Sequence, residues 1–161
     1  NGTAWALKGS QINGFTSGER SGHSVSINGD GTVVAIGAYR HNSNIGTTRI
    51  YKWNGTVWRL KNQINGLTPE EFGWSVSLSD NGNVFASGGS QYDFGAGTNS
   101  GITRIYHSIS NTGGGDGTYQ LLGGTPIYGP GSIFFGNNVS LDASGYTIAI
   151  SSRYELSLIH I

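Results

Sequence analysis

The chain is 161 residues long, enough for one domain with a sizeable core, and its nine basic side chains balance nine acidic ones. With only 11% of residues charged, it lacks the basic surface that phosphate neutralisation or an anionic membrane anchor requires, which argues against nucleic acid and membrane insertion as partners. Without cysteine it builds neither a disulfide framework nor a thiolate zinc site, and without methionine it is expected to be a fragment or a processed product.

The first predicted strand is Ala4–Leu7, followed by His23–Ile27, Val33–Ala38 and Thr48–Trp53, each marked by two-residue alternation or β-branched enrichment and separated by Gly-containing turn steps. In His23–Ile27 the residues Val25 and Ile27 share one face while Ser24 and Ser26 share the other. Small serines there predict a second sheet packed close against that face. The set then recurs. Trp5-Ala-Leu-Lys returns as Trp58-Arg-Leu-Lys, and SGHSVSINGDGTVVAIGA from Ser21 returns as FGWSVSLSDNGNVFASGG from Phe72 and FGNNVSLDASGYTIAISS from Phe135. TTRIYKWNGT from Thr47 returns as ITRIYHSISN from Ile102. The repeat units run over about 5–57, 58–118 and 119–155 of a single repeat domain, and the extra residues between copies fall in a longer loop, Gln91–Gly101, and an insertion, Asn111–Gly117. No window carries a 3.6-residue apolar period, so the predicted class is all-β. Four strands repeated about every 50 residues fit either the blade of a β-propeller or the lobe of a β-trefoil; three copies in this length favour the trefoil by counting alone. The last residues, 156–161, form an atypical apolar tail where the repeat calls for T-R-I-Y, and they are expected to be foreign to the pattern.

The segments Phe72-Gly73-Trp74-Ser75-Val76-Ser77, Asp80-Asn81-Gly82-Asn83, Ser87-Gly88-Gly89-Ser90 and Val34-Ala35-Ile36-Gly37-Ala38 resemble the FG-GAP repeat, the blade of integrin-α-type β-propellers and their extracellular relatives. The resemblance covers about residues 1–153. It implies four-stranded antiparallel blades in a circular array, incomplete here or closed by oligomerisation or by further blades of a longer chain. It also implies an extracellular or cell-surface setting, with ligands met by loops on one face. Calcium-binding members of the family place several carboxylates after the S-V-S strand. Here Asn28-Gly29-Asp30-Gly31, Asp80-Asn81-Gly82-Asn83 and Asp142-Ala143-Ser144-Gly145 supply one each, too few for a hard cation, so no cofactor is expected and these turns should bond their own backbone.

Catalytic chemistry is hard to find. His23, His41, His107 and His160 have no mutual metal spacing, and His23 aligns with Trp74, which favours packing. Glu70-Glu71 is the only adjacent carboxylate pair, and it reads as solvated loop charge whose side chains diverge. Arg49 and Arg104 recur before Ile-Tyr and are expected to lie on an aromatic face or bond across to a neighbour. Trp5, Trp53, Trp58 and Trp74 offer a sugar-stacking surface, although the recurrence of Trp5 and Trp58 with Tyr119 favours packing. The expected function is non-catalytic adhesion or binding of a protein or glycan through loops such as Arg40–Gly46, Gln91–Gly101 and Asn111–Gly117, with Tyr92, Asp93 and Asn99 as the candidate ligand-binding residues. The alternatives are a carbohydrate-binding, lectin-like domain and part of a propeller glycosidase or lyase.

Overall fold

In the computed structural model the described residues are 4–91, 99–109, 118–129 and 134–152, together with the backbone of 156–160. They form three antiparallel sheets in chain order. The first is the meander β1 (Ser24–Ile27), β2 (Val33–Ala38), β3 (Thr47–Trp53) and β4 (Trp58–Asn65). The second repeats it with β5 (Ser75–Leu78), β6 (Val84–Gly89), β7 (Ile102–Ile109) and β8 (Thr118–Leu121), and β9 (Ile127–Tyr128) also pairs with β7. The third comprises β10 (Asn138–Leu141), β11 (Thr147–Ser151) and β12 (Leu156–His160). The one helical element among the described residues is the turn His41–Asn44, in which Asn42 and Ser43 take left-handed φ angles of 50° and 56°.

The strands arise where alternation is strongest and stop at turns that satisfy their own backbone. After β1, the Asn28 side-chain oxygen accepts the N–H groups of Thr32 and Val33, and Asp30 accepts the backbone N–H and the hydroxyl of Thr32. After β5, the Asn81 side-chain oxygen takes the Asn83 N–H, and after β10 the Asp142 carboxylate takes the Thr147 N–H. These are the turn bonds that short Asx side chains make. One expectation fails. Ala4–Leu7 is not a strand: it has no ladder partner and Trp5 is fully exposed. The apolar tail Leu156–His160 pairs along the whole of β11, in the place that β3 and β7 hold in the other sheets. The first two sheets also take their fourth strand from the start of the next sequence unit, so Trp58 and Tyr119 stand at equivalent places on β4 and β8.

The sheets stack face to face, with β1 and β2 against β5 and with β5 and β6 against β10. Val33, Ala35 and Ile50 of the first sheet pack with Phe72, Val76, Leu78, Phe85 and Tyr106 to form one core. Ala86, Ile105, Phe135, Ile148 and Ile150 form the next. Between the cores run polar rungs, and these bear out the inference drawn from the serines. Ser24 Oγ donates to the Gly73 carbonyl and Ser75 Oγ to the Gly136 carbonyl, both at 2.8 Å. The Leu78 N–H donates to Ser26 Oγ at 3.0 Å, and the Leu141 N–H to Ser77 Oγ at 2.9 Å. A backbone row crosses all three sheets at the turns, Gly29 N–H to the Asp80 carbonyl and Asp80 N–H to the Ala143 carbonyl. An edge strand would otherwise leave such groups unpaired; here the neighbouring sheet satisfies them.

Candidate functional site

The strongest electrostatic features are two buried ion pairs. Arg49 on β3 reaches back to Glu19, in the segment before β1, through paired bonds of 2.7 and 2.9 Å, with Phe15 lying 4.0 Å from the guanidinium. Arg104 on β7 makes the same two-pronged contact with Glu70, before β5, and lies over Phe72. Each glutamate also caps its own loop: Glu19 accepts the Phe15 N–H and Glu70 the Leu67 N–H. The planar guanidinium fork suits a carboxylate held in one orientation. The hydrogen bond from Arg49 is the main reason that the Glu19 carboxyl is drawn down to about 2. The architectural reading of Arg49 and Arg104 therefore holds, whereas that of Glu70-Glu71 as solvated charge does not. Both glutamates are buried, Glu70 on Arg104 and Glu71 beside Ser90. Burial pushes the Glu71 carboxyl up.

The four tryptophans do not form one surface. Trp74 joins His23 and Tyr39 in a ring cluster with centroids 4.6–4.8 Å apart, where the first two sheets meet. Trp53 and Trp58 pair at 5.4 Å across the β3–β4 hairpin, and Lys8 Nζ sits over both rings. Trp58 Nε1 donates to the Lys8 carbonyl, and Tyr119 OH, its counterpart, donates to the Gly82 carbonyl. Burial raises the Tyr119 hydroxyl to about 12.

Of the residues expected to bind ligand, Tyr92 and Asp93 lie outside the described residues, as do Asn111–Gly117 and most of the loop Gln91–Gly101. Asn99 is described. It has a φ of 58° and its carbonyl accepts the Phe134 N–H, just as Asn44, with φ of 68°, accepts the Glu71 N–H. Asn tolerates this left-handed conformation better than most residues, so the backbone accounts for asparagine at both positions.

A different concavity is present. Between the first two sheets, on the side of the turns, a cleft of about 500 Å³ is lined by Asp30, Thr32, Lys52, Lys61, Asn81 and Tyr119, among others. Asp30, on the turn after β1, is held ionised chiefly by the Thr32 hydroxyl. Lys52 comes from β3, and Lys61 from β4 beside the register shift at Ile50/Tyr51. Asn81 and Asn83 come from the turn after β5. The cleft thus brings a carboxylate, two ammonium groups and side-chain amides together around partly apolar walls. Among the described residues, no cluster of three or more His, Cys, Asp or Glu could hold a metal ion, and no helix is long and apolar enough to cross a membrane. Sequence reasoning missed this cleft because its lining is split between two repeats.

No protein-family model matches the chain, and no curated protein matches it. Among solved structures it is similar to hydrazine synthase of Kuenenia stuttgartiensis, with a TM-score of 0.57 at 9% identity over 97% of this chain and 36% of that one. The chain therefore spans about a third of that protein's length, and the likeness is one of fold.

Proposed function

We propose that the chain is a non-catalytic binding segment built from propeller-type blades of the FG-GAP kind, and that it takes hydroxyl-rich glycan ligands in the cleft between its first two sheets. The observation that carries this reading is the lining of the cleft. Ammonium donors at Lys52 and Lys61, amides at Asn81 and Asn83, and the Asp30 carboxylate are the groups that fix sugar hydroxyls. The buried carboxylates Glu19 and Glu70 are each committed to an arginine, a structural use that sets them apart from the paired acids of glycoside hydrolysis. The face-to-face stacking of separate meander sheets favours blades over trefoil lobes, since no extended ladder joins one sheet to the next among the described residues. Secretion or display at the cell surface suits the low charge and the Gly-rich turns.

The test is a glycan array probed with the chain and with the Lys52→Ala/Lys61→Ala double variant. Selective binding, weakened roughly tenfold or more in the variant, is expected, equivalent to about 1.4 kcal/mol. Equal binding by both proteins, or none by either, would refute the site. Turnover of any member of a polysaccharide panel would move the protein to the enzyme class.

A further inference from the structure

Asn-Gly occurs six times in the chain, and five of these steps lie among the described residues. Such a step is chemically vulnerable, because glycine has no Cβ to keep its own amide nitrogen from reaching the side chain before it. The fold treats the five differently. The Gly29 N–H donates to the Asp80 carbonyl at 2.8 Å, the Gly66 N–H to the Gly46 carbonyl at 3.0 Å and the Gly82 N–H to the Ser79 carbonyl at 3.0 Å. In these three the nitrogen is committed, and Asn28 is buried besides. Gly14 packs on the Glu19 carboxylate, whose Oε1 would lie 2.8 Å from a methyl group there. That negative charge opposes loss of the Gly14 amide proton.

Asn54-Gly55 stands apart. It forms the tip of the β3–β4 hairpin, where both residues are exposed and a methyl group on Gly55 would meet nothing within 4 Å. Among the described residues the Gly55 N–H has no hydrogen-bond partner. The Asn54 side-chain oxygen accepts the N–H groups of Thr56 at 3.0 Å and Val57 at 2.8 Å. Two donors on that oxygen draw electron density from Cγ and make it a better electrophile. They must loosen before the side chain can turn, and an exposed hairpin tip opens locally at low cost.

We propose that Asn54 is a site of spontaneous deamidation, the fastest of the five. The Gly55 nitrogen gives up its proton and attacks Asn54 Cγ. The new N–Cγ bond closes a five-membered succinimide, and the Cγ–Nδ2 bond breaks as the side-chain nitrogen takes up a proton and leaves as ammonia. Water then opens the ring at either carbonyl, giving aspartate or, with one more methylene in the backbone, isoaspartate. The net charge of zero falls by one. The new carboxylate forms beside Lys52, Arg59 and Lys61, which line one concavity with Asn54.

Incubation of the folded chain at mildly alkaline pH, followed by peptide mapping with an isoaspartate assay, tests this. Asn54 is expected to convert roughly tenfold faster than Asn28, Asn65 or Asn81, about the rate factor of one backbone hydrogen bond that must first break. Asn13 should also lag behind it. In concentrated urea the differences should collapse, because the fold alone sets them. Gly55→Ala should slow conversion at Asn54 and leave the other steps unchanged. Conversion at Asn54 in the folded chain no faster than at any one of the other four, or a ranking that survives unchanged in urea, overturns the proposal.

Discussion

Arg49→Met is expected to lower folding stability by about 3–5 kcal/mol, because it strands the Glu19 carboxylate in a buried site with its principal partner gone. Urea unfolding measures this directly, and the Glu19→Gln/Arg49→Met double variant should lose less than Arg49→Met alone, since removing both charges leaves no unpaired ion. The same pair sets a pH response. The Glu19 carboxyl lies near 2 in the folded chain against 4.5 for the free group, so folding favours its ionised form. Its contribution is complete above about pH 4.5, shrinks as the pH falls, and is gone near pH 2. Glu19→Gln should flatten this part of the acid-unfolding curve. Glu71 tilts the same region the other way, since burial raises its carboxyl and the folded chain prefers it neutral.

Gly37→Ala should cost about 3 kcal/mol or more, although the position is an ordinary strand residue. A methyl group there would sit under 3.0 Å from both the Gly73 carbonyl and Ser24 Oγ, the two ends of the first rung between sheets. Neither can retreat without opening the stack. Gly88 repeats the arrangement against Gly136 and Ser75. Gly55→Ala is the control: φ there is +99° but nothing lies within 4 Å, so its cost should stay near the 1–2 kcal/mol of a left-handed backbone alone. Thermal unfolding of both variants separates crowding between sheets from backbone strain.

Much of the local structure was legible because it follows from alternation. Val33–Ala38 forms as predicted and the neighbouring strands begin within a residue of their predicted starts, while the serine face was rightly read as a sheet contact. Ala4–Leu7 failed because alternation alone does not make a strand without a partner ladder. Glu70 was misread because its burial depends on Arg104, 34 residues away, and local context gives no sign of it. A signal did exist. Glu19 and Glu70 recur at matching places in the first two copies, as do Arg49 and Arg104, and the third copy drops both, with Ile133 and Ser157 at those places in the alignment and the strand register. The third copy also explains an orphan. Thr48 Oγ1 bonds Ser87 Oγ across the first two sheets at 2.7 Å, but the place of Ser87 is taken by Ile150 in the third sheet, and buried Thr103 Oγ1 finds no partner among the described residues. The cleft was invisible for a different reason: Asp30 and Lys52 meet Asn81 and Tyr119 only once two sheets are stacked.

Amide hydrogen exchange at Leu78 and Leu141 tests the stacked-sheet account most directly. Both amides sit on strands at the end of a sheet and owe their protection to one serine oxygen of the sheet before. The account predicts slow exchange at both in the wild-type chain, with Ser26→Ala accelerating Leu78 and leaving Leu141 slow. Free exchange of both amides in the wild-type chain, or a Leu78 rate indifferent to the loss of the Ser26 hydroxyl, would contradict it.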